Sequence, residues 1–154
     1  MSESPGEKEV QEPKKVVVKP PSRIHLRWIE GLRFDTGRSD GPRALIDGES
    51  RAAPGPVETL VGALAACTSV DVISILNKRR TPPESFEANV VAQRAQAIPA
   101  PLTSVHIAFT ITGKGIDRGG AERAIALSLN KYCSVRDSLD PNIPVEWSLE
   151  LNAE

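Results

Sequence analysis

The sequence predicts an α+β fold, and three observations carry that expectation. Four runs alternate apolar and polar residues with the period of half-buried strands: Ile24-Leu26-Trp28, Phe86-Ala88-Val90-Ala92, Val105-Ile107-Phe109-Ile111 and Val145-Trp147-Leu149-Leu151. One segment, from about Pro56 to Arg79, is apolar at most positions and far longer than an ordinary strand. The order strands, long helix, strands, helices, strand is not the βαβα alternation of a parallel sheet, so antiparallel pairing is expected.

Each element has a local reason. Residues 1–22, "MSESPGEKEVQEPKKVVVKPPS", mix proline with Glu, Lys and Ser and offer little to bury. They predict a disordered tail, a solubilising extension or a docking arm, ahead of one folded domain over residues 23–154. "RIHLRWIEGLRF" opens that domain as a strand, and Asp40-Gly41 marks a turn before "RALID", its antiparallel partner. The loop "GESRAAPGP" feeds the long helix. Pro56 suits the first helical turn, where its missing N–H costs nothing, and Glu58 complements the helix dipole there. The cations of "NKRR" suit the other end, and "TPPE" stops the helix. Two strands, "FEANVVAQRAQ" and "TSVHIAFTIT", are joined through "AIPAPL". Asp117 to Lys131 reads as an amphipathic helix with Ala121, Ala124, Ile125 and Leu129 near one face. Ser134 and Asp137 form a capping-box-like start to a short helix after Cys133, and "VEWSLEL" is the last strand.

Composition removes several function classes. A net charge of −1 supplies no basic field for nucleic acid or an anionic membrane. Aromatics at 4% are too few for a base-stacking platform. Thr68, Ser69, Asp71 and Ser74 interrupt the apolar helix, which reads as too polar for a membrane span. The N-terminus lacks the basic-then-apolar order of a signal peptide, so a cytoplasmic location is expected. Two cysteines stand 66 positions apart without a CxxC, and His25 and His106 lie apart from them in sequence. Neither a zinc site nor another metal or organic cofactor is expected. A reducing cytosol disfavours a permanent disulfide but leaves room for a thiol pair that cycles.

The apolar helix wraps Leu60, Val61, Leu64, Val70, Val72, Ile73, Ile75 and Leu76 around every side, which predicts burial on all faces, inside the domain or between subunits. Cys67 therefore sits deep. One reading makes it an inert core thiol, since burial raises a thiol pKa. The other makes it reactive, and then a cation must come from elsewhere, because a mid-helix residue gains little from the dipole. Arginine keeps its charge when buried, and Arg33 and Arg38 precede the helix, with Glu58 placed to orient one of them. Cys133 lies just ahead of a helix start, where partial positive charge favours thiolate; its other reading is a packed junction residue. Asp71, one turn after Cys67, is expected to pair with an arginine or a partner-chain group. His25 and His106 read as surface or paired residues, and Trp28 and Trp147 as core or rim aromatics.

The segment "PGPVETLVGALAACTSVDVISIL", followed about 65 residues later by "ALSLNKYCSVRDSL", resembles the OsmC/Ohr family of thiol-dependent peroxidases, the osmotically inducible and organic hydroperoxide resistance proteins. The likeness runs from about Trp28 to Leu151. It implies an OsmC-like fold of curved antiparallel sheets around long central helices in an intertwined homodimer, with sites at the subunit interface. It also implies that Cys67 attacks a hydroperoxide and becomes a sulfenic acid, and that Cys133 resolves it as a disulfide. An outside dithiol, possibly a lipoyl protein, then restores both thiols. The family's arginine matches "EGLRF" at Arg33, with Arg38 as the substitute. Hydroperoxide-resistance members carry an acid ten positions before the first cysteine; here that position is Val57, and Glu58 follows about 100° further round the helix. "CSVR" replaces the commoner "CP.S", which places the chain in the broader OsmC-like branch. The expected function is reduction of organic hydroperoxides with Cys67, Cys133, Arg33 and Glu58 as site residues. The alternatives are an apolar small-molecule-binding protein of the same fold and a redox sensor without turnover.

Overall fold

The computed structural model describes residues 18–152. Most of the expected tail lies outside the described residues, and residues 18–24 run exposed without regular structure. The elements are β1 (His25–Glu30), β2 (Arg33–Gly37), β3 (Arg43–Asp47), α1 (Pro56–Lys78), β4 (Ser85–Arg94), β5 (Leu102–Thr112), α2 (Arg118–Leu127), a π-helical turn (Ser128–Tyr132), α3 (Ser134–Asp137) and β6 (Val145–Leu151).

The opening stretch folds back on itself. Gly31 takes φ +50°, a conformation that glycine adopts without steric cost, and splits "RIHLRWIEGLRF" into β1 and β2. β2 pairs antiparallel with β1 on one side and β3 on the other, so "RALID" meets the second half of the expected strand. Asp35 accepts hydrogen bonds from Arg43 at 2.8 Å and Arg27 at 2.9 Å, and these guanidinium groups hold its carboxyl below the usual range. Ile24, Leu26 and Trp28 are 66%, 57% and 64% exposed, not half-buried as their alternation predicts. The reason is that the core cluster draws no side chain from this sheet.

The second sheet has the order β4-β5-β6. Here the alternation lands in register: Phe86, Ala88, Val90 and Ala92 face Ile111, Phe109, Ile107 and Val105 across the β4–β5 pair. Val105, Ile107, Phe109 and Ile111 in turn stand opposite Val145, Trp147, Leu149 and Leu151. One face is thus apolar throughout and covers α1 and α2, while Asn89, His106 and Glu146 point the other way, exposed. Each fully buried side chain such as Ile107 or Phe109 is worth roughly 1.5–3 kcal/mol of removed apolar surface.

The α+β class is observed, but the expected curved antiparallel sheets around long central helices in an intertwined homodimer need correcting. β5 and β6 run parallel, because α2, the π turn and α3 carry the chain back to the starting edge of the sheet before β6 begins. Among the described residues the two sheets are separate, open and three-stranded and one helix is long, and the structure holds a single chain.

α1 starts as its sequence dictates. Pro56 occupies the first turn, and the Glu58 carboxylate accepts the Gly55 N–H at 2.7 Å, the one half of a capping box that a glycine N-cap allows. The helix buries one face, not all: Leu64, Ala65, Thr68, Val72 and Leu76 are buried, whereas Gly62, Ala63, Ala66 and Val70 are exposed. A single chain supplies β4, α2 and the turns after it on that one side. By length and composition α1 is apolar enough to cross a membrane, which its interrupting polar residues had argued against. The C-terminal Arg79 is not merely solvated: it donates to Asp117 at 2.8 Å, and Asp117 caps α2 by accepting the Gly120 N–H at 2.7 Å.

Candidate functional site

Cys67 stands on α1 where the buried face meets the exposed one. It is half-buried and packs against the core, with the exposed Leu60, Ala63 and Val70 on its open side. The next residue, Thr68, is wholly buried. Its hydroxyl donates to the Leu64 carbonyl at 3.0 Å and lies 3.6 Å from the Cys133 Sγ.

The second half of the site comes from the end of α2. The expected helix through Lys131 widens at Ser128 into a π turn, closed by the Cys133 N–H on the Ser128 carbonyl at 2.8 Å. This turn delivers Cys133, 3% exposed, to the α1 surface. The two thiols are free, and they lie near enough for Cys67 to influence the ionisation of Cys133. Cys133 also caps α3, its Sγ accepting the Arg136 N–H at 3.3 Å, so the capping role expected of Ser134 belongs to the cysteine.

Burial pushes the Cys133 thiol up, against the opposing pull of the Arg136 N–H and the Thr68 hydroxyl, and the neighbouring Cys67 pushes in the same direction as burial. The expected thiolate stabilisation at a helix start is therefore outweighed, since a four-residue helix carries little dipole and the sulfur is out of water. Asp71, expected to meet an arginine or a partner-chain group, is half-buried and within the chain meets Ser128, whose Oγ donates to it at 2.7 Å. A neutral donor suffices because the carboxylate keeps partial access to water.

The structure brings Cys67 and Cys133 together and places Arg33, Arg38 and Glu58 elsewhere within the chain. Arg33 donates to Asp47 at 3.4 Å and to Glu30 at 2.9 Å. Arg38 stands in the β2–β3 turn, against Gly41. The Gly55 N–H and the Ser50 hydroxyl hold the Glu58 carboxyl below its usual range, so its hydrogen bonds go to the helix cap and the preceding loop. Val57 and Glu58 join Val61, Gly62, Val90, Ala92 and Arg94 around a cleft of about 480 Å³ between the N-terminal half of α1 and β4. A larger recess of about 710 Å³ borders the start of β1 and includes neither thiol. Among the described residues, no three His, Cys, Asp or Glu side chains gather as a metal site would require.

Three residues escaped the sequence reading. Thr68 registered only as a polar break in the helix, and Ser128 carried no signal at all. Asp47, 1% exposed, binds the Ala52, Glu49 and Arg51 N–H groups and shapes the loop into α1. Those backbone donors, Ala52 foremost, hold its carboxyl below the usual range.

The family profile described as OsmC-like protein matches residues 47–148, which contain both thiols and every element from α1 to most of β6. The chain belongs to the OsmC-like family. Protein YhfA of Escherichia coli (strain K12) is 33% identical over 132 residues, covering 85% of this chain and 98% of that protein. The crystal structure of a hypothetical protein from Aquifex aeolicus VF5 superposes with TM-score 0.75 at 25% identity, over 86% of this chain and 96% of the other. The organic hydroperoxide resistance protein OhrB of Bacillus subtilis shares the fold at TM-score 0.55 and 14% identity, over 83% and 96% of the two chains. An OsmC-like fold with a pair of neighbouring cysteines is consistent with thiol-based redox chemistry in general.

Proposed function

We propose that this chain is a thiol-dependent peroxidase that reduces organic hydroperoxides. The observation that carries the reading is the meeting of two reduced cysteines of unequal exposure, Cys67 half-buried and Cys133 buried. The Cys67 thiolate attacks the terminal oxygen of R–O–O–H. The O–O bond breaks, Cys67 becomes a sulfenic acid, and the alkoxide leaves and takes up a proton as alcohol. Cys133, deprotonated, attacks the Cys67 sulfur, hydroxide departs, and a Cys67–Cys133 disulfide remains. An outside dithiol of the lipoyl type reduces it by two exchanges and is itself oxidised to a disulfide.

The exposed apolar side chains on the open side of Cys67, Leu60, Ala63 and Val70, support an alkyl or lipid hydroperoxide as the substrate. In this reading Arg33, or Arg38 in its place, steadies the thiolate and the leaving alkoxide, and Glu58 orients it. Since Arg33 engages Asp47 and Glu30 within its own chain, the reading includes a homodimer, with the second copy supplying the arginine. No metal or organic cofactor takes part, and the location is a reducing cytoplasm.

Intact mass after one equivalent of cumene hydroperoxide tests the proposal. The wild type should lose two hydrogens; Cys133→Ser should yield a sulfenic acid adduct, and Cys67→Ser none. Thiols that stay unchanged under excess peroxide would sink it. The cleft beside Val57 also favours a second reading, a small-molecule binder. Sustained peroxide consumption with a dithiol is expected of the enzyme and not of the binder.

A further inference from the structure

Thr68 is a buried polar side chain to which the peroxidase reading gives no task. It follows Cys67 directly, is wholly buried, and has one hydroxyl proton facing two acceptors, the Leu64 carbonyl at 3.0 Å and the Cys133 Sγ at 3.6 Å. A neutral thiol sulfur is a weak acceptor, so while Cys133 keeps its proton the hydroxyl bonds to the carbonyl. A thiolate sulfur accepts far more strongly, and rotation about one side-chain bond turns the hydroxyl to it. The turn leaves no orphan, because the Leu64 carbonyl still accepts the helical N–H of Thr68.

Exposure adds a direction. In a Cys67–Cys133 disulfide the sulfur that an outside thiol can reach is that of Cys67, since Cys133 is only 3% exposed. We infer that Thr68 is a third residue of the redox centre: its hydroxyl stabilises Cys133 as the leaving thiolate when an outside dithiol opens the disulfide, and thereby directs attack to the Cys67 sulfur. This deepens the proposed function and rests on its disulfide. The reductant thiolate bonds to the Cys67 Sγ, the S–S bond breaks, and its electron pair goes to the Cys133 Sγ, which later takes a proton from water. The second thiol of the reductant, deprotonated, attacks its own sulfur in the mixed disulfide. Cys67 leaves as thiolate, and the reductant departs as a cyclic disulfide.

The test starts from the full-length disulfide made with diamide, so it does not depend on any reaction with hydroperoxide. Limited glutathione with excess iodoacetamide, followed by peptide mapping, should put glutathione on Cys67 and the alkyl group on Cys133. The reverse pattern, an even split, or a failure of diamide to join the pair overturns the inference. Thr68→Val should slow reduction of the disulfide by dihydrolipoamide roughly tenfold, the worth of one hydrogen bond to a charged group, while Thr68→Ser stays near wild type. An unchanged rate in Thr68→Val, or an equal slowing of Cys67 alkylation in the reduced protein, also overturns it, the latter because a general structural effect would explain both. If Thr68→Val fails to fold, the same reduction rate measured in Thr68→Ala decides. If hydroperoxide leaves the thiols untouched while the diamide-made disulfide opens as described, the peroxidase reading fails and the role of Thr68 stands.

Discussion

Cys133 brings to the site a thiol that desolvation keeps protonated, and two donors, the Arg136 N–H and the Thr68 hydroxyl, that act only in part against it. A thiol whose pKa is raised attacks slowly at neutral pH, because the thiolate alone is the nucleophile. Closure of the disulfide from a preformed Cys67 sulfenic acid should therefore speed up as pH rises from neutrality through the ordinary thiol range, without a plateau near pH 8.5. Quenched-flow mass analysis follows that step, and a pH-independent rate would contradict the raised pKa. The position of Cys133 depends on Ser128 twice, since its carbonyl closes the π turn and its hydroxyl binds Asp71 on α1. Ser128→Ala should lower the unfolding free energy by about 1–2 kcal/mol in urea titrations, leaving Asp71 without its partner, whereas Asp71→Asn keeps an acceptor and should cost less. The settings of both cysteines in the sequence left inert and reactive readings open, and the family resemblance is what joined them as a pair. Thr68 and Ser128 could not be picked out from the sequence, because their partners lie 65 and 57 positions away and only the fold brings them near.

At the scale of elements, α1 was legible because its signals are local: Pro56 in the first turn, Glu58 at the capping-box position, and a stop at "TPPE". The same locality explains what stayed hidden. A π turn adds a residue to one turn of helix, and Leu129 keeps the helical spacing from Ile125, so the apolar pattern runs into the turn without marking it. The β1–β2 turn was hidden for a similar reason, since Gly31 and Leu32 interrupt a run in which either strand alone keeps the alternation. Glu58 is where element and site compete for one side chain. Its carboxylate is the N-terminal lid of α1, so Glu58→Ala should lower the melting temperature, while Glu58→Gln, which still offers an acceptor to the Gly55 N–H, should stay near wild type. Peroxidase assays on Glu58→Gln then separate the two roles. Activity near that of wild type assigns Glu58 to the cap alone, and a large loss at unchanged melting temperature assigns it to an arginine as well.

Over the whole molecule, apolar alternation identified the strands of the second sheet and the register of its core face, but not the direction of β6. Direction depends on how the chain returns, and α2 with the turns after it form a crossover long enough to reach the other end of β5, which makes β6 parallel. The same crossover ends on Cys133, so a bond from there to Cys67 would tie α1 to the segment that sets the topology. Such a bond closes a loop of 66 positions, and in the chain-entropy account that restricts the unfolded state by about 4 kcal/mol. The native state should accommodate it with little distortion, because the two free thiols are already neighbours in the reduced protein. The diamide-oxidised protein should melt roughly 10 °C above the reduced one in calorimetry. Cys133→Ser, treated with diamide in the same way, should show no rise. A melting temperature that stays level or falls on oxidation would mean that joining the sulfurs strains α1 against the π turn, which would set the disulfide against the fold instead of building it into the resting structure.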